Sequence, residues 1–200
     1  MEKRRAMSLL CILCCVWGTF FSYPVVEAKG QSRQIINGTV FAIGRGQRGR
    51  SWTGQFRLIV NSYTTTGQVR ELNDALQQGG QDGLLKALSG MSAGRVQIGL
   101  GVGVTANAII ADPWGEGGTK LTVFYERNVR FFELRYGSRS TDYRVGFAEI
   151  YLDARGRGEG TLIPAARVRL RDANNWEVED FGVYPARLMG LRSSGSVQPG

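Results

Sequence analysis

On either side of Asp172-Ala173-Asn174 polar and apolar residues alternate, and this constrains the chain more than any other feature. A three-residue hairpin loop there, with Asn174 left-handed, sets Arg171 against Asn175, Leu170 against Trp176, Arg169 against Glu177, Val168 against Val178 and Arg167 against Glu179. From Leu170 onward apolar meets apolar and Arg meets Glu. A second loop at Ala154-Arg155-Gly156, with Gly156 left-handed, sets Asp153 against Arg157, Tyr151 against Glu159 and Ala148 against Leu162. One face is then apolar through Ala148, Ile150, Leu152, Leu162, Val168, Leu170, Trp176 and Val178, and an antiparallel meander with one buried face follows. Arg167 and Arg169 read as cross-strand ion-pair partners on the solvated face.

The same period of two recurs along the chain. Ile36 to Ile43 and Thr53 to Ser62 are β-like, the second alternating Phe56, Leu58 and Val60 with Arg57, Ile59 and Asn61. Val96 to Ile110 reads as a glycine-spaced strand whose bare face suits a bulge, a barrel bend or close contact with another element, and Asp112-Pro113-Trp114-Gly115 as a turn. Strands are expected over 120–127, 130–136, 143–153, 161–171, 176–181 and 184–191. Helical period appears only between Thr65 and Met91: Thr65 with Gln68 forms a capping box before Val69, Leu72 and Leu76. Gly79-Gly80 stops that helix, Asp82 caps the next, and Leu84, Leu85 and Leu88 form its stripe before Gly90. Helices this short do not persist alone in water, so they lie on the sheet. The expected fold is mainly β, an antiparallel barrel or sandwich with a short helical hairpin at about residues 65–91 packed on one end.

Lys3, Arg4 and Arg5 precede an apolar run from Leu9 to Phe21, and Val26-Glu27-Ala28 suits a cut after Ala28. A bilayer span needs roughly 20 residues, so residues 1–28 read as a signal peptide, 29–192 as a single β-rich domain and 193–200 as a flexible tail. The expected location is secreted or periplasmic, with no transmembrane segment after cleavage. An exterior that alternates with Arg167, Arg169, Glu177 and Glu179 also disfavours a lipid-spanning barrel.

The chain has no histidine, and its three cysteines, Cys11, Cys14 and Cys15, lie in the leader. The remainder holds no Ser-His-Asp triad, Cys nucleophile or His/Cys zinc site, and no cofactor or metal is expected. Residues 29–200 carry 22 basic against 15 acidic side chains, 19 of the basic ones Arg. Gly44-Arg45-Gly46-Gln47-Arg48-Gly49-Arg50 spells G-x-G-x-x-G, but a strand follows where a dinucleotide site needs a helix. Arg45, Arg48 and Arg50 can instead meet an anionic envelope component through charge. Aromatic stacking partners are sparse around them, which disfavours nucleic acid. Ser138 to Tyr143 is the other polar cluster: Arg139, Asp142 and Tyr143 can bind a sugar or small anion, or form a self-capped turn. Glu126, Glu133, Asp142 and Glu149 lie in one region without a spacing that pairs two of them.

Residues 79–88 (GGQDGLLKAL), 140–143 (STDY) and 160–168 (GTLIPAARV) resemble the shared motifs of a family of uncharacterised exported bacterial proteins, mostly from soil bacteria. The likeness runs from about Thr39 to Arg192. It implies export and a single domain, and no activity. The expected function is an exported, non-enzymatic domain binding a small ligand or an envelope component. The alternative is a carboxylate-dependent hydrolase acting on polysaccharide.

Overall fold

A computed structural model describes residues 33–43, 51–127, 143–172, 175–180 and 185–195. The elements are β1 (Gln34–Ile43), β2 (Ser51–Val60), α1 (Thr66–Ser89), β3 (Gly94–Ile98), β4 (Val104–Trp114), β5 (Gly118–Glu126), β6 (Val145–Leu152), β7 (Arg157–Asp172), β8 (Asn175–Asp180) and β9 (Ala186–Ser194). Strands β1 to β6 pair in chain order, β6 pairs with β7, β7 with β9 and β9 with β1, so eight strands close an antiparallel barrel. β8 pairs with the far half of β7. Of the two architectures open to the sequence, this is the barrel.

Eight strands enclose a space just wide enough for side chains to fill. Ile36, Phe56, Leu58, Leu121, Ile150, Leu162 and Leu188 fill it, each fully buried. A second core lies outside the barrel. There Leu72, Leu76, Leu84 and Leu88 of α1 cover Ala108, Ile110, Phe124, Phe147, Ile163 and Val168 of the wall. The helices therefore pack on the barrel's side, not its end, because β4 to β7 turn apolar residues outward as well as inward.

Both proposed hairpin registers are present: Leu170↔Trp176, Arg169↔Glu177, Val168↔Val178 and Arg167↔Glu179 in one, Tyr151↔Glu159 and Ala148↔Leu162 in the other. Gly156 has φ +69°. At the loop, Asp172 and not Arg171 faces Asn175, after a shift beyond Leu170; Asn174 lies outside the described residues. The single apolar face does not hold. Ala148, Ile150, Leu152 and Leu162 point into the barrel, whereas Val168, Leu170, Trp176 and Val178 belong to the outer core. Between the pairs Phe147↔Ile163 and Val145↔Ala166 an extra residue of β7 passes, and such a bulge exchanges the two faces of a strand. Pro164, which has no N–H to donate, sits there.

Val96 to Ile110 is likewise two strands, β3 and β4, because Gly99 and Gly103 adopt φ +69° and +84° and reverse the chain. β4 continues through Trp114, and the turn expected at 112–115 falls at Gly115–Gly117. The strand expected over 130–136 lies outside the described residues. β9 runs to Ser194 against β1, two residues past the expected domain end.

Thr65 and Gln68 form the capping box, with Thr65 N–H donating to Gln68 Oε1 at 2.9 Å. Gly80, at φ +56°, breaks α1 into two helical halves. Polar side chains fix it to the barrel. Asn107 Nδ2 donates to the Leu88 carbonyl at 3.0 Å, Trp176 Nε1 donates to Asn73 Oδ1 at 2.6 Å, and Val168 N–H donates to Gln81 Oε1 at 3.2 Å. Asp82, expected to cap the second half, accepts from Arg144 Nη1 at 2.7 Å.

Tyr125 points into the barrel beneath Gly146, and its hydroxyl is buried with no hydrogen-bond partner among the described residues. Burial pushes its pKa well above the ordinary value. The folded state thus holds the phenol neutral where the unfolded chain ionises it. This contribution to stability is complete below about pH 10 and declines above it at about 1.4 kcal/mol per pH unit. Tyr125→Phe should flatten the alkaline fall, measured by urea titrations on either side of that pH, and leave neutral stability equal or higher.

Candidate ligand-binding groove

Alternation along β4, β5 and β6 turns one set of polar side chains outward beside the N-terminus of α1. Lys120 is directly opposite Asp112 on one side and Tyr151 on the other, and Thr122 is opposite both Ile110 and Glu149. The Lys120 Nζ lies 2.7 Å from Glu149 Oε1, with each side chain about seven-tenths buried. Tyr151 OH donates to Glu149 Oε2 at 3.1 Å, and Lys120 stands 5.9 Å from the centre of the Tyr151 ring. Trp114, 52% exposed at the end of β4, packs on Tyr151 with ring centres 4.7 Å apart and planes tilted by 57°. Thr64, Thr66 and Val69 of the helix side and Trp176 of β8 close a groove of about 250 Å³ over Asp112, Lys120, Thr122 and Glu149.

Burial lowers the Lys120 pKa, but the hydrogen bond and charge of Glu149, aided by Tyr151 and Asp112, outweigh it, and the net shift is upward. Lys120 is accordingly an ammonium through neutral pH, a donor and not a nucleophile. Burial and the Glu149 charge also raise Tyr151, against the opposing pull of Lys120. The groove presents an ammonium donor and carboxylate acceptors, and the Tyr151 phenol and Trp114 indole stand beside it on the Lys120 side without lining it. Neighbouring hydroxyls of a sugar can accept from the ammonium and donate to the carboxylate while ring C–H groups lie on Trp114.

Tyr143 is the one residue of the expected site that is described. Its hydroxyl donates to Glu179 Oε1 at 3.1 Å, and its carbonyl accepts from Arg127 Nη1 at 3.2 Å. Desolvation and the Glu179 bond and charge raise its pKa, opposed by Arg167 and Arg169. It stands beside the β7–β8 hairpin, where Arg169 Nη2 pairs with Glu179 Oε2 at 3.2 Å, and it does not line the groove. Arg45, Arg48, Arg50, Arg139 and Asp142 lie outside the described residues, as does Glu133. Glu149 is the acid that sequence reading and groove share.

Trp114, Lys120 and Tyr151 escaped the sequence reading. The signal was present: a hairpin turning at Gly115–Gly117 sets Asp112 against Lys120, an opposite-charge pair two residues from a tryptophan. Placing the turn at 112–115 concealed it. Among the described residues no three His, Cys, Asp or Glu side chains group to hold a metal, and no described helix is long and apolar enough to cross a membrane. Comparison with protein-family models, curated proteins and solved structures finds no match to the chain.

Proposed function

We propose that this chain is an exported, non-enzymatic β-barrel that binds a saccharide ligand or envelope component in the groove over Lys120 and Glu149 and across the adjoining Trp114–Tyr151 surface. The observation that carries the reading is the exposed indole packed on Tyr151 next to a partly buried ammonium–carboxylate pair. A purely structural ion pair has no need of a half-exposed tryptophan at its rim. Binding to a panel of neutral and acidic oligosaccharides should fall at least about tenfold in Trp114→Ala, the loss of one stacking and burial contact of roughly 1.4 kcal/mol or more. A panel with no binder, or Trp114→Ala binding as the unaltered protein does, contradicts it.

The hydrolase alternative requires a protonated carboxyl facing a second carboxylate. Both Glu149 oxygens are engaged, Oε1 by Lys120 and Oε2 by Tyr151, and neither is turned to a substrate as a proton donor. Glycan cleavage abolished in Glu149→Gln would reverse the assignment. Export rests on the n-region, apolar run and small-residue cut site of residues 1–28. N-terminal sequencing of the exported protein should begin at Lys29, and a product retaining Cys15 would refute cleavage there.

A further inference from the structure

The outer faces of β9, β1, β2 and β3 contribute nothing to the core beneath α1 among the described residues. Strand pairing instead lines up Arg157, Arg192, Asn37, Arg57 and Gln97 as one row across five strands. The three arginines are exposed. Arg157 and Arg192 are directly opposed, a like-charge pairing that weakens a sheet unless an anion lies between. Arg57 Nε donates to Asn37 Oδ1 at 2.9 Å, and no ion pair links Arg57, Arg157 or Arg192 to a carboxylate among the described residues. A groove of about 460 Å³ runs along the row past Asn37, Arg57, Gln97 and Arg192 to Gly99.

At that end the β3–β4 turn folds onto the same wall. A Cβ built on Gly103 would stand 3.2 Å from both Arg95 Cγ and Gln97 Cβ, two outward side chains of β3. Gln97 Nε2 donates to the Gly101 carbonyl at 2.8 Å and Arg95 Nη1 to the Val102 carbonyl at 3.3 Å. The turn so braced holds Leu100 and Val102 out at 98% and 86% exposure. Two aliphatic side chains fully in water beside an uncompensated basic row need a partner that is anionic at its surface and apolar below it.

We propose that this wall docks on an anionic phospholipid surface, with Arg57, Arg157 and Arg192 on the lipid phosphates and Leu100 and Val102 in the apolar layer beneath the headgroups. The proposal is independent of the saccharide groove, which lies on β4 to β6. A soluble polyanion would satisfy the arginines and leave the aliphatic tip without a partner.

Flotation with phosphatidylcholine vesicles, with and without about 30 mol% phosphatidylglycerol, tests it. All proteins share one N-terminus, so residues 1–28 contribute equally to each. The unaltered protein should float with the anionic vesicles alone and be released by about 0.5 M NaCl. Leu100→Ser with Val102→Ser, and separately Arg57→Gln with Arg192→Gln, should each weaken binding about tenfold without lowering the melting temperature, since every site is exposed. Equal binding to pure phosphatidylcholine, insensitivity to salt, or unchanged binding in either double variant overturns the proposal. Heparin binding that equals vesicle binding and survives loss of the aliphatic pair assigns the wall to a soluble polyanion instead.

Discussion

Gly158→Ala is expected to lower stability by about 3 kcal/mol or more, close to the tolerance of a single domain. Gly158 is paired on both sides, with Leu152 of β6 and Leu191 of β9, in the strand that closes the barrel. A Cβ there would stand 1.7 Å from the Tyr151 carbonyl oxygen and 3.1 Å from the Leu152 Cα. Both obstacles are backbone, so relief requires parting β6 from β7 and losing ladder hydrogen bonds. Gly67→Ala provides the contrast: it sits in the first turn of α1 with its nearest neighbour, Thr65 Oγ1, 3.9 Å away. There alanine should be neutral or stabilising by up to about 1 kcal/mol. Urea unfolding of both variants is the measurement, and a stable Gly158→Ala would mean the β6–β7 seam is not closed.

Leu84→Ala is expected to cost about 2 to 5 kcal/mol, because Leu84 is 2% exposed in the outer core and its removal leaves a cavity between α1 and the wall. Leu85→Ala should cost distinctly less, as Leu85 is only partly buried. The loss at Leu84 should also loosen Trp176, whose Nε1 is held by Asn73 of the same helix and whose ring packs on Phe124 at 4.8 Å. Trp176 closes one side of the groove, so ligand binding should weaken with helix docking. Equal costs at the two leucines would place the helix in a different rotation about its axis.

The β-rich class, the helical break at Gly80 and both C-terminal hairpin registers were legible in the sequence because each has a local cause. Opposed Arg169 and Glu177, the Thr65–Gln68 box and left-handed Gly156 are decided by residues a few positions apart. What escaped was decided at longer range. Barrel closure depends on β9 meeting both β7 and β1, pairings that no local alternation distinguishes from a sandwich. The bulge at Pro164 reverses which face of β7 is buried, so Leu162 and Val168 share a pattern in the sequence and belong to different cores in the fold. The groove and the aromatic pair beside it were missed for a related reason: Trp114, Lys120 and Tyr151 come from three strands, and a turn placed three residues too early put Asp112 and Trp114 in a loop. Of the sequence-derived site only Tyr143 can be located, and its hydroxyl is engaged with the β7–β8 hairpin.

The central claim is that the ligand sits on the outer wall, at the groove of β4 to β6, while the barrel interior is a side-chain core. Amide and indole chemical-shift mapping during titration with an oligosaccharide that binds in the panel tests this most directly. The account predicts that perturbations centre on the Trp114 indole, Lys120, Thr122 and Tyr151, with the interior residues Phe56, Leu58 and Leu188 unmoved. Shifts confined to those interior residues, or to Tyr143 and the β7–β8 hairpin, would contradict it.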